Sequence, residues 1–101
     1  MPRRRLRGKV ALSAETILAR ARRVPEGYVT TYGDLSPGAP RHAGRVLSEL
    51  GSEVAWWRVV RGDGSLAKGS EQRARLRAEG VPISGGRVVM AEARIPPEAI
   101  Q

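Results

Sequence analysis

The chain has 101 residues and a formal net charge of +8, from 18 Lys and Arg residues against 10 Asp and Glu residues. A chain of this length forms one small domain, too small for a deep enzyme cavity together with a cofactor-binding fold. Cysteine is absent and His42 is the one histidine, which excludes disulfides, a cysteine nucleophile and thiolate or multi-histidine metal sites.

The excess positive charge, carried mostly by arginine, favours a polyanionic partner, most simply nucleic acid. An anionic membrane is the rival partner, but no amphipathic helix with bulky apolar residues is apparent. No long apolar run or signal peptide is apparent either, so we expect a cytoplasmic protein. We also expect a monomer that needs no cofactor.

Three regions follow from composition: a basic arm at 1–12, a domain at 13–90 and a tail at 91–101. The arm either contacts phosphates or merely solubilises the chain. The domain is predicted to begin with a helix over residues 14–23, because Ser13 is a good N-cap and apolar residues follow at helical spacing. That helix ends before Pro25.

A helix-turn-helix pattern follows the first helix. Residues 28–31 are β-prone, Thr31 is placed to cap a short helix over 32–35, and Pro40 begins a helix that Gly51 ends. Arginines on the outer face of the second helix make it a candidate DNA-contacting helix, although an ordinary αα-hairpin has the same pattern. Small residues allow close approach of a DNA backbone: Ala39, Ala43 and Gly44.

Both tryptophans of the chain are adjacent, at Trp56 and Trp57. In an extended segment their side chains face opposite sides, so at least one lies at a surface or cleft. Anchoring of a small core by both rings is the alternative. Residues 58–61 and 65–67 flank a Gly-Asp-Gly turn and are predicted to pair as a hairpin.

The last third of the chain is predicted to hold a helix over 71–79, capped by Ser70 and mostly solvated, and then a second hairpin over 81–90. The expected fold is a mainly helical α/β domain of the helix-turn-helix, winged-helix-like kind, with short β-hairpins.

Several segments, in order, resemble the C-terminal domain of 6-O-alkylguanine-DNA alkyltransferases. Residues 24–35 resemble its opening motif, 41–47 its recognition helix, 58–66 the segment after its active-site cysteine and 79–81 its closing helix. The resemblance extends over about residues 13–83, and several motifs in one order are more specific than any one motif.

This chain differs from the active-site motif of that family at the residues that perform the chemistry. The family has Pro-Cys-His-Arg-Val, whereas this chain has Ala55-Trp56-Trp57-Arg58-Val59. Alkyl transfer needs a thiolate activated by a neighbouring base, and an indole supplies neither. The chain is therefore more similar to the alkyltransferase-like proteins, in which tryptophan commonly replaces the cysteine, although these usually keep the histidine.

This resemblance implies a non-enzymatic protein that binds 6-O-alkylguanine in double-stranded DNA and flags it for nucleotide excision repair proteins. Arg41 would fill the gap left by a flipped guanine, Tyr32 would press on the adjacent phosphate, and Trp56 would contact the flipped base. The remaining residues that the resemblance implies serve the pocket (Val60, Lys68, Ser70), phosphate binding by backbone amides (Thr30, Thr31, Arg45) or close approach to DNA (Ala39, Ala43, Gly44).

Two other functions stay open from sequence. A general DNA-binding winged-helix protein would prefer certain sequences and ignore the lesion. A cryptic hydrolase or transferase would need a nucleophile paired with a base, and no His–acid pair beside a plausible nucleophile is evident.

Overall fold

The computed structural model describes residues 12–101, so the predicted basic arm lies outside the described residues except for Leu12. Within this range there are five α-helices: α1 Ala14–Arg22, α2 Tyr32–Leu35, α3 Pro40–Leu50, α4 Gly69–Ala78 and α5 Met90–Ala93. Four short strands accompany them: β1 Thr30–Thr31, β2 Val59–Val60, β3 Ile83–Ser84 and β4 Arg87–Val88. The mainly helical α/β fold is the predicted one.

Helix α1 begins at its predicted cap. The Ser13 Oγ accepts a hydrogen bond from the Thr16 amide at 3.1 Å, which satisfies an amide that the first turn would leave unpaired. Its buried face carries Ile17, Leu18 and Ala21 into the first of two core clusters.

Helices α2 and α3 form the predicted helix-turn-helix. The Thr31 Oγ1 accepts from the Asp34 amide at 3.0 Å and caps α2. Pro40 lies in the first turn of α3, where its missing N–H costs no hydrogen bond. Ala43 and Val46 bury one face of α3 against the first cluster, which leaves the opposite face for other contacts.

The predicted pairing of residues 58–61 with 65–67 is wrong. Strand β2 pairs in parallel with β1, with Thr30 opposite Val59, while Ser65 forms an isolated bridge with Arg87. Only the turn forms as expected, since the Arg61 amide donates to the Ser65 carbonyl at 3.1 Å. The second predicted hairpin is confirmed, with β3 and β4 antiparallel.

The segment over 91–101, predicted as a tail, packs against the domain. The Val29 amide donates to the Ala93 carbonyl and the Ile95 amide donates to the Val29 carbonyl, each at 2.9 Å. Ile100 is fully buried in the first cluster. The apolar residues of this segment are too widely spaced for periodicity to show that they enter a core.

Helix α4 differs from its prediction at its start and in its burial. It begins at Gly69, and no side chain caps it, so Ser70 is not the N-cap. Gln72 and Leu76 are fully buried, so the helix is more than a solvated lid. Leu76 belongs to the second core cluster, together with Val29 and Val60. Among residues 12–101, no helix is both long and apolar enough to cross a membrane.

Candidate nucleic-acid interface

A cleft of about 700 Å³ opens on the exposed face of α3. The residues that line it come from α2, α3, the turn after α3, the tryptophan segment, the loop between β2 and α4, and the first turn of α4: Tyr32, Pro40, Arg41, Gly44, Leu47, Ser48, Gly51, Ser52, Trp56, Arg61, Ala67, Lys68 and Glu71. The cleft therefore combines segments that are distant in sequence.

Five residues singled out from sequence line this cleft together: Tyr32, Arg41, Gly44, Trp56 and Lys68. They approach one another because the parallel pairing of β1 with β2 places the end of the tryptophan segment beside the start of α2. The structure thus joins the aromatic, cationic and small residues of the prediction in one concave surface.

Tyr32 lies half-buried at the start of α2, against α3. A Cβ built on Gly44 would lie 3.9 Å from the Tyr32 ring, an ordinary packing distance, so the ring lies directly beside Gly44 of α3. Burial raises the pKa of Tyr32, and the positive charge of Arg61 only partly opposes that effect. The phenol is therefore neutral at physiological pH and is able to donate a hydrogen bond to an anionic oxygen.

Trp56 begins a 3₁₀ turn, Trp56–Arg58, rather than an extended segment. Gln72 holds this turn from α4: its Nε2 donates to the carbonyls of Trp57, at 3.0 Å, and Val59, at 2.8 Å. Its Oε1 accepts from the Lys68 amide at 3.0 Å. A single buried amide therefore fixes both Trp56 and the Lys68 loop at the rim of the cleft.

The two indoles meet edge to face, with ring centroids 5.8 Å apart and planes at 86°. Trp56 lines the cleft, whereas Trp57 packs against the second core cluster. The prediction that the two rings serve different surfaces is confirmed, although the backbone is a turn and not a strand.

Beneath the indoles, Glu79 accepts hydrogen bonds from three directions. The Trp57 Nε1 donates at 2.8 Å, the Arg58 guanidinium at 2.8 Å and the Gly27 amide at 3.2 Å. Burial would raise the pKa of Glu79, but hydrogen bonds from Arg58, Trp57 and Gly27 outweigh it and lower the pKa. Arg75 lies on α4, four residues before the C-cap Glu79, but does not pair with it, because this carboxylate is bound by Arg58.

Seven predicted site residues do not line the cleft. Val60 and Ala43 are fully buried, so neither side chain lines the cleft. Thr30 and Thr31 are buried in or beside the β1–β2 pairing. The other three lie elsewhere at the surface: Ala39, Arg45 and Ser70.

Sequence reasoning overlooked several residues of the site. Leu47, Ser48 and Gly51 share the helix face of Arg41 and Gly44, and their spacing was the available signal. Gln72 had no such signal, because a glutamine on a polar helix is ordinarily solvated.

The cleft is suited to bind an anionic, planar ligand. Arg41, Arg61 and Lys68 contribute three positive charges to its lining, against the carboxylate of Glu71. Among residues 12–101, no cluster of His, Cys, Asp or Glu is arranged to hold a metal ion.

The sequence profile described as the DNA-binding domain of 6-O-methylguanine DNA methyltransferase matches residues 13–81. The chain belongs to this family. Within it, the chain is an alkyltransferase-like protein. It is 47% identical to the "DNA base-flipping protein" of Escherichia coli over an alignment that covers 61% of this chain and 57% of that protein. The chain thus spans little more than half the length of that relative.

Two further proteins extend the comparison. The "DNA base-flipping protein" of Vibrio parahaemolyticus is 37% identical, with 67% of this chain and 79% of that protein covered. The fold is similar to that of S. pombe Atl1 in complex with damaged DNA containing O6-carboxymethylguanine, with a TM-score of 0.72 and 24% identity. That similarity covers 83% of this chain and 94% of Atl1.

Proposed function

We propose that this chain recognises 6-O-alkylguanine in duplex DNA by accepting the flipped base in the cleft beside Trp56, without removing the alkyl group. The observation that carries the proposal is the convergence of Tyr32, Arg41 and Trp56 on one cleft. The names of the relatives as base-flipping proteins, and the fold shared with Atl1 bound to damaged DNA, support it.

Each of these three side chains has one role in the proposed complex. Arg41, in the first turn of α3, fills the gap that the extruded guanine leaves in the stack. Tyr32, as a neutral phenol, contacts the phosphate next to that gap. Trp56 offers a flat apolar face to the base, and contacts of this kind are worth roughly 1–3 kcal/mol per base.

The free-energy cost of extruding a base gives a reason for preferring the alkylated duplex. Extruding a base costs a few kcal/mol, and less where the pair is already weakened. An alkyl group on O6 weakens pairing with cytosine and adds apolar surface that Trp56 can cover. Both effects favour the alkylated base over guanine, whereas the backbone contacts are common to both duplexes.

Retention of the alkyl group follows from the residues in the cleft. The transfer chemistry needs a thiolate nucleophile, and the chain contains no cysteine. Trp56 stands at the position of the nucleophile in the related transferases. A protein that binds the lesion and leaves it intact needs a second activity to complete repair, and we propose nucleotide excision repair proteins as that partner.

Paired binding titrations at one fixed salt concentration test the proposal. One duplex carries a single 6-O-methylguanine and the other is identical but unmodified; the DNA is then recovered and its bases are analysed. We expect tighter binding to the modified duplex, with the methyl group still on the guanine. Equal binding would support a general DNA-binding protein instead, and loss of the methyl group would contradict the non-enzymatic proposal.

The proposed recruitment of excision repair proteins to the lesion is tested by a separate assay. Purified excision proteins are given the methylated duplex with and without this chain, and incision is measured. Faster incision that depends on both the lesion and the chain supports the recruitment, while unchanged incision contradicts it.

A further inference from the structure

Arg75 lies against both tryptophans from the outer side of α4. Its guanidinium carbon is 4.7 Å from the centroid of the Trp57 ring and 5.7 Å from that of Trp56. Both distances are within the range of a cation–π interaction. A single arginine therefore contacts the ring that lines the cleft and the ring that supports it.

The position of Arg75 separates it from the ligand side of the cleft. Trp56 and Glu71 line the cleft, whereas Arg75 does not. A base seated in the cleft therefore meets Trp56 and not Arg75. Any effect of Arg75 on the bound base is transmitted through the orientation of the indole.

Two further contacts fix the orientation of this assembly. The Glu71 carboxylate lies 3.4 Å from the Arg75 Nη2, so it holds the guanidinium from the cleft side. The Trp57 Nε1 donates to Glu79 at 2.8 Å, so the supporting ring is anchored at its polar edge. Trp57 thus has an anchored edge and a face covered by a cation, and it meets Trp56 in an edge-to-face contact.

We propose that Arg75 is a positioning residue for lesion binding: it holds Trp56, through the paired indoles, in the orientation that receives the flipped base. The expected changes in DNA affinity rest on the proposed function. The geometric part, that Arg75 sets the relation between the two indoles, stands independently of any ligand.

Arg75→Met is the test variant, because methionine keeps an unbranched chain and removes the charge and planar group. Arg77→Met is the matched control: it removes one charge from the same helix, and among residues 12–101 Arg77 makes no cation–π interaction with either indole. Arg75→Lys keeps a cation and is the rescue variant. Thermal unfolding of all three verifies that each is folded.

The first readout is the near-ultraviolet circular dichroism of the free protein, which reports the coupling of the adjacent indoles. We expect Arg75→Met to change this signal, Arg77→Met to leave it unchanged and Arg75→Lys to restore it in part. An unchanged spectrum in Arg75→Met would overturn the proposal, because the indoles would then keep their relation without the arginine.

The second readout is the ratio of affinities for the methylated and unmodified duplexes. We expect Arg75→Met to lower this ratio about two- to fivefold, the size of an exposed cation–π interaction, while Arg77→Met weakens both duplexes equally. An equal loss on both duplexes in Arg75→Met would reduce Arg75 to a phosphate contact and overturn the proposal. Absence of any lesion preference in the wild-type protein would overturn the proposed function instead, and the spectrum would still decide the geometric part.

Discussion

The Trp57 indole N–H donates to the Glu79 carboxylate at 2.8 Å, and this bond joins the tryptophan turn to the end of α4. The same carboxylate receives a guanidinium from Arg58, whose Nη1 also donates to the Val24 carbonyl at 3.0 Å. Glu79 and Arg58 together connect the segment after α1, the tryptophan turn and the end of α4. The wall of the cleft depends on a charged group that does not itself line it.

Glu79→Gln is expected to destabilise the fold by about 3 kcal/mol at pH 7, because it leaves the Arg58 guanidinium, mostly shielded from solvent, without its counter-charge. The folded pKa of Glu79 is lowered from its ordinary 4.5. Its stabilisation is therefore complete above pH 4.5 and is lost as pH falls through the folded pKa. Urea unfolding across pH 2.5–7 should show the difference between wild type and variant shrinking below pH 4.5; a pH-independent difference would contradict this.

Gly64→Ala is expected to cost about 2–4 kcal/mol of stability. Gly64 has a φ of +86°, and a Cβ there would lie 2.5 Å from the Val88 carbonyl oxygen, a backbone atom that cannot move aside cheaply. Gly62→Ala is the control in the same turn, since a Cβ on Gly62 meets nothing within 4 Å. Denaturant unfolding of both variants measures the contrast, and equal stabilities would contradict the strained-turn explanation.

Arg41→Ala is expected to weaken binding of the methylated duplex about tenfold more than binding of the unmodified one, a difference of about 1.4 kcal/mol. Arg41 lines the cleft. In the proposed complex it would stabilise only the state in which a base has been extruded. Arg45→Ala removes the same charge from the same helix but outside the cleft. It should weaken both duplexes alike, and a similar pattern for Arg41→Ala would argue against insertion into the stack.

Local sequence signals were sufficient to predict the helices whose ends are set by capping residues, proline or glycine. Ser13 and Thr31 are N-caps, as predicted, and Pro40 and Gly51 bound α3. The β3–β4 hairpin follows from Gly85, which with its glycine neighbour supplies the positive φ angles of the turn.

Long-range pairing could not be predicted from these signals. The parallel register of Thr30 with Val59 joins strands of two residues each, which are too short to show a period. The Gly-Asp-Gly turn therefore favours a local hairpin, whereas Val60 lies in the parallel pairing and is fully buried. The burial of Ile100, in the closing segment, also depends on a long-range contact, because the apolar residues of that segment are too widely spaced to show a period.

For the candidate site, the resemblance predicted which residues take part, but it did not predict which side chains support them. Tyr32, Arg41 and Trp56, which the resemblance singled out, line one cleft in the structure. The contacts of Gln72 and Arg75 with the tryptophan turn depend on how α4 packs, which residue spacing alone does not specify.

In the proposed complex, Trp56 forms the wall of the cleft against which a flipped, alkylated guanine is held. The most direct test of this role is to titrate Trp56→Ala and wild type with the methylated and unmodified duplexes at one salt concentration. We predict that the variant loses about 1–3 kcal/mol of affinity for the methylated duplex and little for the unmodified one, so that lesion preference disappears. Equal losses on both duplexes, or a preserved preference, would contradict the claim.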